Sequence, residues 1–509
     1  MSSNSRIAKN TLFLYVRMIF TLIVSLYTSR LILSVLGVED FGIYNITASI
    51  IVFFSFFNVA MTGATQRFLN FEMGKGNTEG VHKVFCISVN IYFVLALIIL
   101  LLAETIGLWV VNNVLNIPST RMLAANCVYQ FSIFTFIIGI FKIPYNATIL
   151  AYEKMSFYAV MSLVEVSLKL VSVACLIFIN GDKLMSYSVF IFLTSVLILI
   201  FHVMYSNKNF ETCKYNFVRD AKLTKELVSF SSWNIFGNIA LIGSNQGIAI
   251  ILNIFSGVGA NAALGVANQV NTAIYGFVSS LQTAFNPQII KSYAAGNYDR
   301  HKQLLFQASR FSYYLFLLLA IPLLFCTDQI LLLWLGNVPE YSVQFTQLVI
   351  IISLIEAISG PLWVSIYAYG KLRYYQLLTS FILFLIVPFA YIFIKLGGAA
   401  EYVFIAKLVA TSILYIYRLY FIKRYLSITV KELFFDVFGR VLCVSTLSIL
   451  MAIILKHVIL KNSMHVLNIF IFSILSVIIT TLFVFLLGIT SSEKRYLYEI
   501  LNKKIKNVK

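Results

Sequence analysis

Charge is scarce in this sequence. Only 11% of its 509 residues are charged, while 60% are hydrophobic. Soluble domains run at about 25% charged residues, so a soluble enzyme is excluded. Sustained alternation of apolar and polar residues is missing, which argues against a transmembrane β-barrel. Helical spans are the other way to satisfy backbone groups in lipid. No CxxC occurs, and of the six cysteines only Cys213 lies outside an apolar run. Neither a disulfide framework nor a zinc site is indicated. No G-x-x-x-x-G-K-[ST] stretch is present, so ATP hydrolysis by the chain itself is not expected. The five histidines, His82, His202, His301, His457 and His465, are scattered at loops and span ends. No catalytic constellation emerges. No enzyme activity and no cofactor are expected.

What remains is apolar length. Runs of about 20 residues or more, enough to cross a bilayer, recur along the whole chain. The run after Arg6 and Lys9 is too long for a signal-peptide core and reads as an uncleaved first helix. Fourteen spans are expected, near 10–36, 41–71, 83–111, 119–150, 156–180, 185–206, 228–256, 262–290, 303–335, 341–369, 374–395, 402–422, 433–460 and 465–489. The expected fold is an all-α polytopic membrane protein. Its parts are an N-lobe (1–206), a linker (207–227), a C-lobe (228–424), two extra spans (425–490) and a basic tail (491–509).

The chain repeats itself. "AYEKMSFY" at Ala151 returns as "AYGKLRYY" at Ala368, and at the same offset Pro144 matches Pro361. "GN" at Gly76 returns at Gly296, "HK" at His82 returns at His301, and "GVEDFGIYN" from Gly37 resembles "GVGANAALGVAN" from Gly257. A duplication of six spans follows. Six is even, so the two copies face the same way, as parallel lobes around a central cavity. Pro144 and Pro361 sit at matched depth. Each bends its helix and is a candidate hinge for alternating access.

Nine cations fall inside the expected spans: Arg17, Arg30, Arg67, Lys142, Lys169, Arg310, Lys407, Arg418 and Arg440. Only Glu165 and Glu356 are clear span acids, with Glu104 and Asp436 near ends. A charge at mid-membrane costs about 2.5–3.5 kcal/mol even on the lenient insertion scale. Arg67, Arg418 and Arg440 lie where long side chains can snorkel to an interface. Glu165 and Lys169, four apart with the acid first, read as an ion pair. Glu356 has no local partner and is expected to meet a cation from another span or to couple transport to an ion. Arg17 and Arg30 are about 20 Å apart along a helix and cannot touch one phosphate together. The charges are not duplicated: Arg310 has Ile91 at its repeat position, Lys142 has Ser359 and Glu356 has Gly139. A cavity lined by positive charge attracts an anionic substrate. Arginine suits phosphate through its planar fork. Arg30, Arg17, Arg310, Lys142, Lys169 and Arg67 are the candidate contacts.

The opening "SRIAKNTLFLYVRMIFTLIVSLYTSRLILSVLGVEDFGIYNI", followed by "GATQRFLNFEMGKGN", resembles the Wzx-type polysaccharide-biosynthesis flippases of the multidrug/oligosaccharidyl-lipid/polysaccharide superfamily. The LG-x-x-x-FG-x-Y stretch from Leu36 to Tyr44 is the most recognisable piece. The resemblance implies movement of an undecaprenyl-pyrophosphate-linked oligosaccharide, of an O-antigen, capsule or exopolysaccharide, from the inner to the outer leaflet of the bacterial cytoplasmic membrane. It implies membrane lipids and polysaccharide polymerase or assembly proteins as partners. The two extra spans resemble those of lipid II flippases, where such helices form a groove for the lipid tail. A cation-coupled drug exporter of the same superfamily or a lipid II-type flippase is the alternative, the exporter being disfavoured by nine span cations against two clear acids. A membrane-embedded glycosyltransferase or polymerase is disfavoured by the duplication and the lack of a large loop.

The +18 net charge needs no nucleic acid to explain it. With the N-terminus inside, the cytoplasmic segments hold 24 Lys and Arg and the opposite loops hold 5. Positive charge favours the cytoplasmic side, and a basic tail there meets anionic headgroups. Both termini are therefore expected inside. Labelling from outside should reach a cysteine introduced at Asn116 or Ser463 and miss one at Asn77 or Asn297. The reverse pattern would invert the assignment.

Overall fold

The structure, a computed structural model, describes residues 3–52, 55–113, 115, 117–426, 428–459, 466–491 and 493–495. The basic tail past Arg495, residues 460–465 with Ser463, and Asn116 lie outside them. No strand occurs among the described residues. The first half holds α1 (Ser3–Val52), α2 (Ser55–Gly74), α3 (Thr78–Leu102), α4 (Leu108–Asn113), α5 (Met122–Ala151), α6 (Met155–Cys175) and α7 (Lys183–Asn209). Then come α8 (Ala221–Ala294), α9 (Tyr298–Phe325), α10 (Thr327–Leu335), α11 (Ser342–Tyr369), α12 (Arg373–Lys395) and α13 (Tyr402–Tyr425). The chain continues through α14 (Val430–Leu433), α15 (Gly439–Ile459) and α16 (Val466–Phe483). Asparagine and aspartate start several of them. Asn77 accepts the Gly80 N–H, Asp182 those of Leu184 and Met185, and Asp220 that of Leu223, satisfying donors that a helix start leaves open.

The molecule is an all-α, multi-pass membrane protein. Among the described residues, twelve helical stretches are long and apolar enough to cross a bilayer. Of the other two stretches counted from the sequence, 262–290 is helical but more polar, and 41–71 is helical where described and interrupted by the undescribed 53–54; both fall outside the twelve. They occupy corresponding places in the two copies.

The backbone carries the duplication more plainly than the side chains do. α1 and α8 are each two helices joined at one non-helical residue, Gly37 at φ 80° and Gly257 at φ 75°. Both values lie in the left-handed region, which glycine enters without a Cβ penalty. The turns after α2 and α8 also match. Gly76 and Gly296 both have φ 72°, and Asn77 N–H reaches Glu72 O at 3.0 Å as Asn297 N–H reaches Ser292 O at 3.0 Å. These pairs share the offset of 220 residues.

Two compact units are present. One comprises Met1–Ile239, Thr283–Tyr298 and Gly370–Gln376; the other comprises Ala240–Gln282, Asp299–Tyr369 and Leu377–Lys509. The first unit takes in short ends of the second repeat, which pack among helices of the first. Phe230 meets Phe68 edge-on at 5.5 Å. A Cβ on Gly74 would stand 2.6 Å from the Ala294 Cβ, so glycine is what lets these two helix ends touch. In the other unit, Ile248, Leu252 and Ala263 of α8 join Phe345 of α11 and Phe404 of α13 in one buried cluster.

One clamp ties three turns of the first unit together. Arg121, before α5, donates to Asp40 at 2.9 and 2.5 Å and to Asp182 at 2.5 Å. Burial alone would raise the Asp182 carboxyl. The Arg121 guanidinium and the Met185 and Leu184 N–H groups outweigh it and hold the carboxyl below its ordinary value. A depressed carboxyl stabilises the fold above its unfolded pKa, and that contribution disappears as pH falls through the folded value. Arg121→Ala should lower the thermal midpoint by about 2–4 °C per kcal/mol lost between pH 5 and 8. The difference from wild type should shrink in acid, below the carboxylate range. A midpoint identical to wild type at neutral pH would show the clamp to be inert.

Candidate functional site

A cation in a helix that crosses lipid needs a partner or water. The structure gives most of the span cations a partner. Lys142 on α5 and Lys169 on α6 converge on Glu165, at 3.3 and 2.8 Å, so the expected pair is a triad with one surplus positive charge. The Arg17 guanidinium donates to the Tyr158 hydroxyl at 2.8 Å and lies 4.8 Å from its ring centre. Arg67 is buried rather than snorkelling. Its guanidinium lies 4.6 Å from the Phe68 and Phe71 rings and 5.3 Å from that of Phe230. Lys407 donates to the Asn245 carboxamide at 3.1 Å. Arg30 differs. It is exposed and makes no ion pair among the described residues. It shares its stretch of α1 with exposed Ile23, Tyr27 and Ser34, spaced three and four apart on one side of the helix.

Arg310 is spent on architecture. Its side chain is 3% exposed and pairs with Glu493 at 2.5 Å while donating to the Asp436 carbonyl at 2.7 Å. One turn further along α9, the Tyr314 hydroxyl donates to the Gly488 carbonyl at 3.3 Å. Asp436 and Gly488 lie in wide π-helical turns, Phe434–Phe438 and Val484–Gly488, which interrupt the usual hydrogen-bond ladder. Arg440 donates to the Leu487 and Ile489 carbonyls. α9 thus anchors α15, α16 and the segment after α16. Beside this anchor lies an apolar cleft of about 630 Å³ between α11, α13 and α15, lined among others by Tyr313, Ile355, Ile416, Phe438 and Leu442.

Glu356 is half-buried on α11. It and Arg418 of α13 both act electrostatically on Tyr275, and the Arg418 guanidinium donates to the Ser359 hydroxyl one turn from Glu356. The two prolines lie inside α5 and α11, both of which continue through them. Pro361 has no N–H to offer the carbonyl four residues earlier. That carbonyl, of Ala357, instead accepts from the Gln282 carboxamide at 3.1 Å. Cys213, in the turn before α8, is buried, and burial pushes its thiol up to about 12, which leaves it neutral and unreactive.

The sequence reading passed over Glu153. Its side chain is 1% exposed, yet it carries a carboxylate. Both oxygens lie 2.7 Å from the Gln288 amide nitrogen, Lys291 donates at 2.8 Å, and Arg6 stands at 3.7 Å. Its φ is 60°, in the left-handed region. The repeat equivalent, Gly370, has φ 89° and leaves room for the Arg67 guanidinium where a Cβ would otherwise stand. The signal was in the repeat: "AYEK" keeps an acid where "AYGK" keeps the glycine that such a turn favours. Left-handed backbone costs a non-glycine residue about 1–3 kcal/mol, whereas removing one partner of a buried ion pair costs about 3–5 kcal/mol. Glu153→Gly should therefore destabilise the protein by about 2 kcal/mol despite the relaxed backbone. A thermal midpoint at or above wild type would show that strain, not the ion pair, dominates.

The fold has solved relatives. A multidrug resistance MATE family transporter of the MOP superfamily, in its outward-facing conformation, matches with a TM-score of 0.73 at 12% identity, covering 84% of this chain and 96% of that chain. A MATE transporter in the bent conformation matches with a TM-score of 0.73 at 13% identity, over 84% of this chain and 96% of that one. A MOP superfamily transporter from Pyrococcus furiosus, described by the reversed polarity of its binding pocket, matches with a TM-score of 0.68 at 12% identity, over 82% and 96%. At these identities the likeness shows the fold. Among curated proteins nothing matches at a significant level. A family model for polysaccharide biosynthesis proteins matches residues 7–293, more than half of the chain. With that match, the chain belongs to the polysaccharide biosynthesis protein family.

Proposed function

We propose that the protein is a flippase. It carries undecaprenyl-pyrophosphate-linked oligosaccharide repeat units from the inner to the outer leaflet of the bacterial cytoplasmic membrane by alternating access. Both termini are cytoplasmic in this reading. Arg30 is the observation that carries it. Most other cations of the spans have a carboxylate, a ring, a hydroxyl or a carbonyl against them, and Arg30 is exposed with no ion pair among the described residues. A bare guanidinium facing hydrocarbon is costly, so α1 borders water at Arg30. There it can offer two parallel N–H groups to a phosphate oxygen pair. The Lys142–Glu165–Lys169 triad, with its surplus charge, and Arg17 extend the positive lining. Arg67, held among rings, and Arg310, held by Glu493, support the scaffold. The apolar cleft beside α15 suits the polyprenyl tail. The cycle runs on an ion gradient, with Glu356 as the coupling carboxylate.

A cation-binding exporter would need acids where this chain has bases. An ion-pair role for Arg30 would tolerate lysine, and a bidentate phosphate contact does not. Arg30→Lys should lower surface polysaccharide severalfold in the host, and Arg30→Ala should abolish it, both at wild-type expression. Lipid-linked repeat units should accumulate in the inner leaflet of the Ala variant. Normal export by Arg30→Ala would overturn the assignment.

A further inference from the structure

The 64 residues from Leu227 to Ile290 contain no Asp, Glu, Lys or Arg, yet twelve of them are Asn or Gln. In the α8 segment after Gly257, the exposed positions include Gly265, Asn268, Gln269, Thr272 and Ser279, and Asn261 is half-buried on the same side. Their spacing of three and four places them along one face. From Asn261 to Ser279 that face runs about 27 Å, close to the thickness of the hydrocarbon core. Among the described residues from 256 to 297, no large apolar side chain is exposed. α13 differs. Ile405, Val409, Ile413 and Ile416 are exposed along it, as a lipid-facing stripe requires. The exposed Asn268 and Gln269 carboxamides would find no partner in hydrocarbon, so this face of α8 borders water; the Thr272 and Ser279 hydroxyls turn back to the Asn268 and Gly276 carbonyls at 2.8 and 3.1 Å.

We infer that this face of α8 binds the uncharged sugar portion of the transported lipid. The inference rests on the flippase reading and divides the substrate within it. A carboxamide both donates and accepts hydrogen bonds, which matches a ring of hydroxyls. It cannot neutralise a pyrophosphate, which needs the cations that this stretch lacks. It cannot hold a cationic drug either, because it has no carboxylate. The equivalent part of the first repeat carries Arg17, Arg30 and Arg67. Asn268, Gln269 and Thr272, one turn apart and exposed, are the specificity-determining residues.

The test is binding by the full protein in nanodiscs. The two probes are undecaprenyl pyrophosphate and the lipid-linked repeat unit extracted from a host strain that lacks the protein. Wild type should bind the glycosylated lipid tighter. The double variant Asn268→Ala/Gln269→Ala should lose about tenfold for the glycosylated lipid and nothing for the sugar-free one. Arg30→Ala should weaken both by the same factor. Thermal midpoints check folding, and the near-isosteric Thr272→Val should cost about threefold for the glycosylated lipid alone if the double variant does not fold. Equal binding of the two lipids by wild type, or variants that lose both equally or neither, would overturn the sugar assignment. Failure of wild type to bind either lipid would overturn the flippase reading itself.

Discussion

A charged or polar side chain in a helix that crosses lipid has three outcomes: a protein partner, an interface, or water. That constraint orders most of this molecule. It gathers Lys142 and Lys169 around Glu165 and folds Arg67 among three rings. It also places Arg310 against Glu493 and a π-turn carbonyl. Each of these arrangements fixes one helix to another, so the cations that look expensive in the sequence serve as joints. Arg30 on α1 and the Asn268 and Gln269 carboxamides of α8 are left exposed, and the proposals above rest on them.

The duplication separates what the backbone needs from what the side chains do. Left-handed turns recur at Gly37 and Gly257, at Gly76 and Gly296, and at Glu153 and Gly370. These are constraints of chain direction, and both copies keep them. The side chains at those turns are free to diverge. At Gly370 the missing Cβ admits the Arg67 guanidinium; at Glu153 a carboxylate reaches Lys291 and Gln288. The two solutions join the same pair of elements, a turn after a long helix and the end of α2 or α8, through opposite chemistry.

The fold was largely legible from apolar run lengths, since lipid permits few architectures. One stretch, 262–290, was counted as a span with the others, while its polarity was given no meaning. The site was legible only in part. The Glu165–Lys169 pair followed from its spacing along one helix, but Lys142 joined from α5, and no local pattern reports a contact between helices. Arg310 read as a lumen cation because its partner, Glu493, lies 183 residues away. Glu153 was invisible as a buried acid because it sits in a short polar turn, where a carboxylate normally meets solvent. Only its glycine counterpart in the second repeat hinted at the backbone beneath it.

A duplicated transporter whose copies remained alike would line its path with the same chemistry twice. Here the first repeat places cations on the helices that correspond to an uncharged, amide-rich stretch in the second. Such a division has no use for a small ion or a compact cationic drug, which presents one kind of surface all round. It suits a ligand with a compact anionic group at one end and many neutral hydroxyls at the other. The lipid-linked oligosaccharide proposed above has that form, and its third part, the hydrocarbon tail, would ask for an apolar surface such as the cleft between α11, α13 and α15. α9 anchors α15 and α16 through Arg310 and Tyr314, so the wall of that cleft is held by hydrogen bonds rather than by apolar contact alone. Lipid offers helices no hydrophobic drive to associate, and a greasy cleft between them can stay open only if polar joints beside it set the spacing.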